Sequence, residues 1–435
     1  MSPTRAGAER ALSASPERNP HPSKTSVLRR PILGGTLTML DLDLIRRATP
    51  ATRDVVHLNS AGASLMSTRT LEVVVGHLTL EARIGGYEAA AARQAEIEGT
   101  YESLGRLVNG RRSEIALFDN STHAFNAAVY SIPLRAGDRI LTTHAEYGSS
   151  ILAFLQLRQR YGVEIDIAPS DESGQVDVAA LRALLCDRTR LVSISHIPTS
   201  GGLINPAQDI GRLVRGTGAL YLLDATQSLG QIPVDVESIG ADLVIGTGRK
   251  FLRGPRGTGF LWAREASLDR LEPFVNEIEA STWDGADGYA WHTGARRFET
   301  WEKSYSNVLG LGAAVDEALE LGIDTISSRA LALSSLLRDG LATIRGVRTH
   351  DLGVRNGAIV TVSADGVPAP VLARVLKDNR INVSLTVPEH NQFDARGPAV
   401  HPLVRLSPHY FNSEREIEQA IDVVARAVAQ ADGES

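Results

Sequence analysis

The chain has 435 residues, a formal net charge of -6 and a sequence pI near 6.0. This charge balance gives no support for nucleic-acid binding or for attachment to an anionic membrane. No run of about 18 apolar residues indicates a transmembrane helix, and the single cysteine excludes an internal disulfide framework. We therefore expect a cytoplasmic protein with no nucleic-acid or membrane partner, and a length that suits two domains.

Residues 1–38 differ in composition from the rest of the chain. They are rich in Ser, Pro, Arg and Ala and show no periodic apolar face. Such a segment cannot bury enough apolar surface to fold, so we predict a disordered leader. It lacks the apolar core of a secretory signal. Its Arg and Ser content is compatible with a transit peptide, but we favour an unstructured leader or a start codon assigned too early, before Met39.

From Met39 onward, apolar runs typical of strands alternate with helical patterns such as Ser149–Arg160 and Pro206–Arg215. This alternation predicts an α/β sheet with helices on both faces, in a large domain that spans residues 39–305. We expect the last of the runs to join an edge of the sheet. The candidate strands are Glu114–Phe118, Arg139–Thr142, Glu164–Ile167, Leu191–Ile194, Ala219–Leu223, Leu243–Gly246 and Thr258–Trp262.

A long helical pattern near Ser306–Leu321 follows these runs. We expect this helix to lead into a smaller C-terminal α/β domain that spans residues 306–435. Its candidate strands lie near Ala358–Val362 and Val404–Ser407. The chain shows no internal repeat, so a repeat architecture is not expected.

Two of the apolar runs are followed by charged residues that suit pyridoxal phosphate chemistry. The run Ala219–Leu223 ends at Asp224, and the run that ends at Gly246 leads into Gly248-Arg249-Lys250-Phe251. A lysine can form a Schiff base with the cofactor's aldehyde. An aspartate can keep the pyridine nitrogen protonated, so that the ring accepts electrons. Taken singly, such a lysine is more often a solvated loop residue and such an aspartate a turn or helix cap.

A phosphate site is indicated upstream, where Asp119-Asn120-Ser121-Thr122 lies between a predicted strand and a predicted helix. Free N–H groups and the positive end of the helix dipole make a helix N-terminus favourable for an anion. Alone, such a run is most often only a cap. Together with the two charged strand ends downstream, it predicts that Ser121, Thr122 and His123 bind the cofactor's phosphate.

Six segments carry a family resemblance because of their order along the chain. The set resembles the class V aminotransferase family of fold-type I pyridoxal-phosphate enzymes from about His57 to Val428. That family includes cysteine desulfurases, selenocysteine lyases, isopenicillin N epimerase and hercynylcysteine sulfoxide lyases. The segments are His57-Leu58-Asn59-Ser60-Ala61-Gly62, Ala145-Glu146-Tyr147-Gly148-Ser149-Ser150, Ser195-His196-Ile197-Pro198-Thr199-Ser200-Gly201-Gly202, Asp224-Ala225-Thr226-Gln227-Ser228, Thr247-Gly248-Arg249-Lys250 and Leu403-Val404-Arg405-Leu406-Ser407.

The resemblance implies a fold, a cofactor and an assembly. The fold is the α/β PLP-dependent transferase fold type I, with a mostly parallel seven-stranded sheet in a large domain and a smaller C-terminal α/β domain. The cofactor is pyridoxal 5'-phosphate, and the assembly is a homodimer. The implied roles are ring stacking for Tyr147, contact with the phenolic oxygen for Thr199 and Gln227, contact with the pyridine nitrogen for Asp224, phosphate binding for Thr247 and Arg249, Schiff-base formation for Lys250, and substrate carboxylate binding for Arg405.

The chain departs from the cysteine desulfurase pattern in two places. Desulfurases carry a nucleophilic cysteine shortly before the C-terminal Arg-x-Ser, but the stretch Val383–Val404 contains none. Cys186 follows a helix-end pattern, and we expect it to be a small buried residue. A Gly-Thr pair that reaches the neighbouring subunit's phosphate is also replaced here, by Thr300-Trp301 after Arg297-Phe298-Glu299. A persulfide-forming desulfurase is therefore disfavoured. The variants Tyr147 and Arg249-Lys250-Phe251, with Gly254-Pro255-Arg256-Gly257, look closer to hercynylcysteine sulfoxide lyases and epimerase-like members.

Other motifs point to no second chemistry. The glycine-rich run 254–259 lacks the Gly-Lys-Ser/Thr of a P-loop, and we expect it to let the backbone pass close to Lys250. We expect no metal site, and we interpret His390, His401 and His409 as surface or site-lining residues. The segment Trp283–Trp291 is either an ordinary long loop or a wall of the substrate pocket.

These observations predict a pyridoxal-phosphate enzyme that acts on an amino acid or an amino-acid-derived substrate. Arg405 would bind the α-carboxylate, Lys250 would remove the α-proton, and Asp224 would stabilise the electron-accepting ring. We favour β-elimination that cleaves a C–S bond of a cysteine-derived substrate. Epimerisation and transamination at the same carbon are the alternatives within the family. A degenerate, non-catalytic family member is an alternative of a different class, which the intact Asp224 and Lys250 disfavour.

Overall fold

The computed structural model describes residues 40–390, 392–393 and 401–433. The predicted leader, 1–38, lies outside the described residues. In chain order the helices are α1 (Leu42–Arg47), α2 (Thr68–Ile84), α3 (Gly86–Ala92), α4 (Gln94–Leu107), α5 (Ser121–Tyr130), α6 (Gly148–Tyr161), α7 (Val178–Leu184), α8 (Ala207–Val214), α9 (Val236–Ile239), α10 (Tyr305–Leu321), α11 (Ile323–Ala342), α12 (Ala369–Asp378) and α13 (Glu414–Gly433).

The strands include the seven predicted in the first part of the chain. Short 3-10 helices cover Pro50–Arg53, Arg112–Glu114, Glu265–Arg270, Ala295–Phe298 and Pro388–His390. In chain order the strands are β1 (Val56–His57), β2 (Ile115–Phe118), β3 (Arg139–Thr143), β4 (Glu164–Ala168), β5 (Thr189–Ser195), β6 (Leu220–Asp224), β7 (Leu243–Thr247), β8 (Gly259–Ala263), β9 (Ser281–Asp284), β10 (Gly288–Trp291), β11 (Val347–Thr349), β12 (Val360–Ala364), β13 (Ile381–Asn382), β14 (Ser384–Leu385) and β15 (Val404–Leu406).

A mostly parallel seven-stranded sheet forms the centre of the fold, as predicted. Its strand order is β2-β8-β7-β6-β5-β3-β4, and only β8 runs antiparallel to its neighbours. The expectation that the run ending at Trp262 joins an edge is wrong. Strand β8 lies between β7 and β2 and pairs with both, because β2 supplies an outer partner that its position early in the chain does not reveal.

Helices cover both faces of this sheet, which confirms the predicted layers. Along β6, Leu220 and Leu222 pack in one core cluster with Phe154 of α6. Tyr221 and Leu223 point to the opposite face, into a cluster that includes Ile210 of α8. Since successive side chains of a strand point to opposite faces, burial on both sides requires the continuous apolar runs seen in the sequence.

A second sheet, in the order β11-β12-β15-β14, lies in the C-terminal part of the chain and packs with α11, α12 and α13. The predicted long helix is α10, and the two predicted C-terminal strands correspond to β12 and β15. The N-terminal strand β1 pairs in parallel with β13, so that Val56 lies opposite Ile381. The first described residues therefore pack on the C-terminal part. The division into two domains at residue 305 stays a prediction.

Among the described helices, we find none whose length and apolar character would suit a bilayer crossing.

Candidate active site

The carboxyl ends of three parallel strands meet at one edge of the central sheet. Ser195 at the end of β5 lies opposite Asp224 at the end of β6, and Asp224 lies opposite Ile245 of β7. Lys250 follows β7 by three residues, so it reaches the same edge, where ligands of open α/β sheets usually bind. A cavity of about 360 Å³ opens here. Its lining residues are Asp119, Asn120, Ser121, Thr122, Tyr147, Ser195, Ile197, Thr199, Asp224, Thr226, Gln227, Thr247, Arg249, Lys250, Arg256 and Gly257.

Lys250 is buried at this edge and forms no ion pair within the described residues. Burial, and then the positive charge of Arg249, lower the pKa of its amine to about 7, and Asp224 opposes this shift. Desolvation favours the neutral form of a lysine because the ammonium loses its water. A substantial fraction of Lys250 is therefore a neutral amine, and so a nucleophile and a base, near neutral pH.

Asp224 is half-buried and faces the cavity from the end of β6. Its Oδ1 accepts a hydrogen bond from the backbone N–H of Thr226 at 2.9 Å. Its Oδ2 accepts none from the part of the chain that the structure describes. One carboxylate oxygen is thus held in place while the other is available to a ligand.

The structure brings Thr199, Gln227 and Arg405 together from three distant segments. The Gln227 amide donates to Thr199 Oγ1 at 2.9 Å and to the carbonyl of Ala61 at 3.1 Å. The Arg405 guanidinium donates to the carbonyl and to Oγ1 of Thr199, both at 2.9 Å. Thr199 and Gln227 line the cavity, and Arg405 lies directly behind Thr199 rather than in the lining. Gln227 Oε1 is buried without a hydrogen-bond partner among the described residues.

Arg405 is a buried cation without an acidic partner among the described residues. Its side chain projects from β15, the residue is only 8% exposed, and its Nε has no hydrogen-bond partner. Burial, and then the charge of Arg249, lower the pKa of Arg405 to about 10. An arginine in this state gains from any carboxylate that approaches it, because the fork of donors matches two oxygen atoms.

The N-terminus of α5 forms the other end of the cavity. Asn120 caps this helix, since its Oδ1 accepts from the N–H of His123 at 2.9 Å, and Ser121 and Thr122 line the cavity. The structure does not bring His123 into the lining. Its ring is exposed and its Nδ1 pairs with Asp119 Oδ1 at 2.6 Å. His123 instead lines an adjacent cavity of about 490 Å³, because its position in the first turn directs the ring away from Lys250.

Three further predicted residues lie in the lining. Tyr147 precedes α6 and is 42% exposed, so one side of its ring is open to a ligand. Thr247 is buried, and its hydroxyl donates to the carbonyl of Thr258 at 3.0 Å. Arg249 donates to the carbonyl of Gly62. Burial, and then the nearby Arg256, lower the pKa of Arg249.

Glu146 belongs to one of the six family motifs but is not among the predicted site residues. It is 2% exposed, and its Oε1 accepts from Thr143 Oγ1 at 2.7 Å and from the N–H of Ser195 at 3.0 Å. Its Oε2 accepts from Ser195 Oγ at 2.8 Å. Burial, and to a smaller extent the charge of Asp224, raise the pKa of its carboxyl to about 7, although the hydrogen bonds from Thr143 and Ser195 oppose this shift. The feature of the sequence that could have assigned Glu146 to the site is its position directly before Tyr147.

Several expectations about single residues are wrong. Cys186 is exposed, because α7 ends at Leu184 and the cysteine lies in the turn that leads to β5. His409 is fully buried and does not line the cavity; its Nε2 bonds the carbonyl of Phe251 at 2.8 Å, in a cluster of aromatic rings. His401 is exposed, in agreement with the expected surface position, and the side chain of His390 lies outside the described residues. No group of three or more His, Cys, Asp or Glu in the described ranges is arranged to hold a metal.

The segment Trp283–Trp291 forms the antiparallel hairpin of β9 and β10 rather than a long loop. It does not line the cavity around Lys250 in this chain; it borders a separate shallow depression. The run 254–259 behaves as expected, since the N–H of Gly254 donates to the carbonyl of Gly248 at 2.8 Å.

Comparison with known proteins gives one family. The family model described as aminotransferase class V matches residues 56–420. A probable cysteine desulfurase of Methanothermobacter thermautotrophicus is 28% identical over 381 residues, which are 86% of this chain and 95% of that protein. A probable cysteine desulfurase of Xylella fastidiosa is 31% identical over 348 residues, 77% of this chain and 80% of that protein.

Solved structures show the same fold. The cysteine desulfurase CsdA from Escherichia coli superposes with a TM-score of 0.84 at 21% identity, covering 90% of this chain and 100% of that one. The cystine C–S lyase C-DES, in complex with cysteine persulfide, superposes with a TM-score of 0.78 at 23% identity, covering 87% and 99% of the two chains.

Proposed function

This chain belongs to the class V aminotransferase family, whose members are pyridoxal-phosphate enzymes of fold type I, and from this premise we propose that it is a C–S lyase. Its substrate would be a cysteine-derived amino acid, and its reaction β-elimination. The observation that carries the proposal is a cavity lined by Lys250 and Asp224, with Arg405, which has no acidic partner among the described residues, directly behind the lining residue Thr199 and no cysteine nearby.

The described residues fit pyridoxal phosphate. Buried polar atoms around the cavity lack partners, among them Gln227 Oε1 and Thr226 Oγ1, and such atoms are costly unless a ligand satisfies them. The cavity volume of about 360 Å³ suits a small ligand. When bound, the cofactor supplies an electron sink that stabilises negative charge at the substrate's α-carbon.

Each end of the cavity would hold a different part of the cofactor. Lys250 would bind its aldehyde carbon, Asp224 Oδ2 its ring nitrogen, and Tyr147 would stack on the ring face. Ser121, Thr122, Thr247 and Arg249 would bind the phosphate, with the free N–H groups of α5. Thr199 and Gln227, which already share a hydrogen bond, would contact the phenolic oxygen.

Two side chains, Arg405 and Lys250, would act directly on the substrate. Arg405 would bind the α-carboxylate, and its link to Thr199 fixes the guanidinium beside the cavity. Lys250 Nζ, a substantial fraction of which is neutral near pH 7, would accept the proton from the α-carbon. The C–S bond then breaks, and the sulfur leaves with the electron pair. With one water consumed, an S-substituted cysteine yields a thiol, pyruvate and ammonium.

The position of Cys186 supports elimination over a persulfide mechanism. Cys186 lies three residues before β5, whereas Ser195 at the far end of β5 lines the cavity. At about 3.3 Å per residue, the strand separates them by roughly 20 Å. Relatives described as cysteine desulfurases support a cysteine-derived substrate, although this thiol is too far from Lys250 to receive sulfur.

We also propose a homodimer in the cytoplasm. Helix α2 exposes Leu71, Val75 and Leu78, each about half accessible, at helical spacing on one face. Trp283 and Tyr289 of the β9–β10 hairpin are 76% and 51% exposed. Contiguous exposed apolar side chains favour an interface. Sedimentation of the purified holoenzyme should give twice the chain mass, and a fully active monomer would contradict the dimer.

The proposal is tested by product analysis. Purified holoenzyme is incubated with S-methylcysteine, cystine, cysteine and alanine, and pyruvate, ammonium, thiol and alanine are measured. Equal amounts of pyruvate and ammonium are expected from a cysteine derivative, and the Cys186→Ser variant should behave identically. Alanine with persulfide on the protein would indicate a desulfurase, a D-amino acid an epimerase, and amino transfer to an oxoacid an aminotransferase. Each of these outcomes would overturn the lyase proposal.

A further inference from the structure

Arg256 is a cation of the cavity that the assignments above leave without a role. It lies in the loop between β7 and β8 and is exposed at the cavity mouth. It forms no hydrogen bond or ion pair in the part of the chain that the structure describes. A surface arginine without a partner is ordinary, but this one lines the same cavity as Lys250 and Arg249.

The loop on both sides of Arg256 is fixed close to the start of α5. On one side, the N–H of Gly254 donates to the carbonyl of Gly248, and Thr258 Oγ1 donates to the carbonyl of Pro255 at 2.7 Å. On the other side, a Cβ at Gly259 would lie 2.4 Å from the carbonyl carbon of Asn120. The glycine therefore allows β8 to begin in contact with the residue that caps α5. The backbone of Arg256 is held near that helix N-terminus.

Positive charge converges at this end of the cavity, where neither Arg249 nor Arg256 has an ion-pair partner among the described residues. Arg256 acts electrostatically on Arg249, whose pKa is lowered first by burial and then by this neighbour. The N-terminus of α5 adds the positive end of a helix dipole. Asp119 is the acid in this part of the lining, and its Oδ1 already pairs with His123. Like charges held together in this way are unfavourable until an anion lies between them.

We infer that Arg256 is a phosphate-binding residue, which completes from the β7–β8 loop the anion site formed by Ser121, Thr122 and Arg249. The inference rests on the proposed function for the identity of the ligand, the phosphate of pyridoxal phosphate. A phosphate ester carries close to two negative charges near neutral pH, so two guanidinium groups and a helix N-terminus match its charge. A second acidic group of the substrate fits less well, because Arg405, which has no acidic partner among the described residues, lies elsewhere, behind Thr199.

Cofactor binding by the apo-protein tests this inference without any turnover. Arg256→Gln and Arg256→Lys are titrated with pyridoxal phosphate and, separately, with pyridoxal, which has the same ring and aldehyde but no phosphate. Arg374→Gln is the matched control, since Arg374 on α12 is exposed, has no partner among the described residues and does not line the cavity. We expect Arg256→Gln to weaken pyridoxal phosphate binding about tenfold or more, because a charge-assisted contact is lost. Pyridoxal binding should stay unchanged, Arg256→Lys should lose less, and the control should match the wild-type chain.

Two results would overturn the inference. Equal weakening of both ligands would mean that Arg256 shapes the cavity instead of binding phosphate. Unchanged affinity for both, with a raised KM for substrates that carry a second acidic group, would assign Arg256 to the substrate. Neither result depends on which bond the enzyme breaks, so failure of the lyase assay and failure of this inference are distinguishable.

Discussion

Two buried arginines, Arg253 and Arg405, have opposite surroundings. Arg253 is 3% exposed and donates to the carbonyl of Leu65 at 2.8 Å and to Thr49 Oγ1 at 2.7 Å. It also pairs with Glu317 at 3.5 Å and lies 5.0 Å from the ring centres of Tyr410 and Phe411. Arg405 is 8% exposed, bonds Thr199, and has no carboxylate partner among the described residues.

The difference separates a structural cation from a ligand-binding one. A buried charge is costly unless counter-charges and hydrogen bonds compensate it. Arg253 is compensated by groups from four segments of the chain, so it holds those segments together. The compensation for Arg405 is incomplete, and groups in that condition concentrate at functional sites. Other buried charged residues also differ in whether counter-charges compensate them, and the consequence can be tested for each residue.

Replacing Lys250, another buried cation of the site, should have the largest effect on catalysis. Lys250→Ala removes the neutral amine that we assign as cofactor ligand and base, so kcat should fall by about 10³-fold or more. In the wild-type chain, borohydride should fix pyridoxal phosphate on the peptide that contains Lys250. Peptide mapping by mass spectrometry checks the assignment, and a label on another lysine would refute it.

Arg253 should matter for stability and not for chemistry. Arg253→Met leaves Glu317 without its ion pair and Tyr410 without its cation, so the free energy of unfolding should drop by about 3 kcal/mol. Denaturant unfolding of the apo-protein measures this loss. The fraction that remains folded should keep nearly normal kcat/KM. A stable variant with low kcat/KM would break the contrast with Arg405.

Arg405 should matter for the reaction and little for the stability of the fold. Arg405→Ala should lower kcat/KM by roughly two orders of magnitude, about 2.7 kcal/mol of transition-state binding. Unfolding should change little, because the arginine has no ion pair to lose. Amino-acid amides and decarboxylated amines should lose less activity than the carboxylate substrate. An equal loss for all three would place the carboxylate elsewhere and make Arg405 a structural residue.

Two buried acids repeat the contrast. Glu299 pairs with Lys303 and accepts from Tyr101 Oη at 2.9 Å. Glu146 has hydroxyl and N–H donors but no cationic partner among the described residues, and burial raises the pKa of its carboxyl from 4.5 to about 7. The folded chain therefore holds a proton that the unfolded chain has lost. The stability from this group is complete below pH 4.5 and is lost as the pH rises to about 7.

Glu146→Gln should remove this pH dependence. Relative to the variant, the wild-type chain should lose on the order of 2 kcal/mol of unfolding free energy between pH 4.5 and 7. Unfolding of both apo-proteins at pH 5 and pH 8 measures the difference, with the exposed Glu172→Gln as control. Parallel stability curves for the wild-type chain and Glu146→Gln would mean that Glu146 stays charged.

Cys186 supplies the smallest effect. It is exposed, and its thiol lies 3.7 Å from Thr189 Oγ1. Cys186→Ser should change the free energy of unfolding by less than about 0.5 kcal/mol and leave kcat unaltered. Loss of turnover with the cofactor still bound would bring back a cysteine-dependent mechanism.

The sequence by itself determined the features that depend on neighbouring residues. Apolar runs predicted the strands of the central sheet, because a strand buried on both faces needs a continuous run. Asp224 and Lys250 were recognisable because each follows such a run, and the carboxyl ends of parallel strands meet at one edge. The order of the six motifs indicated the family and the cofactor.

Only the tertiary structure decided which residues meet and which are covered. The insertion of β8 between β7 and β2 depends on pairing between segments more than 130 residues apart, which no local pattern records. Cys186 lies two residues after α7 and His409 three residues after β15, both in connecting segments, yet one is exposed and the other fully buried. Burial in such stretches is set by the elements that pack over them. The neighbours of Arg253 in the sequence likewise do not show that it is compensated, because its partners come from distant parts of the chain.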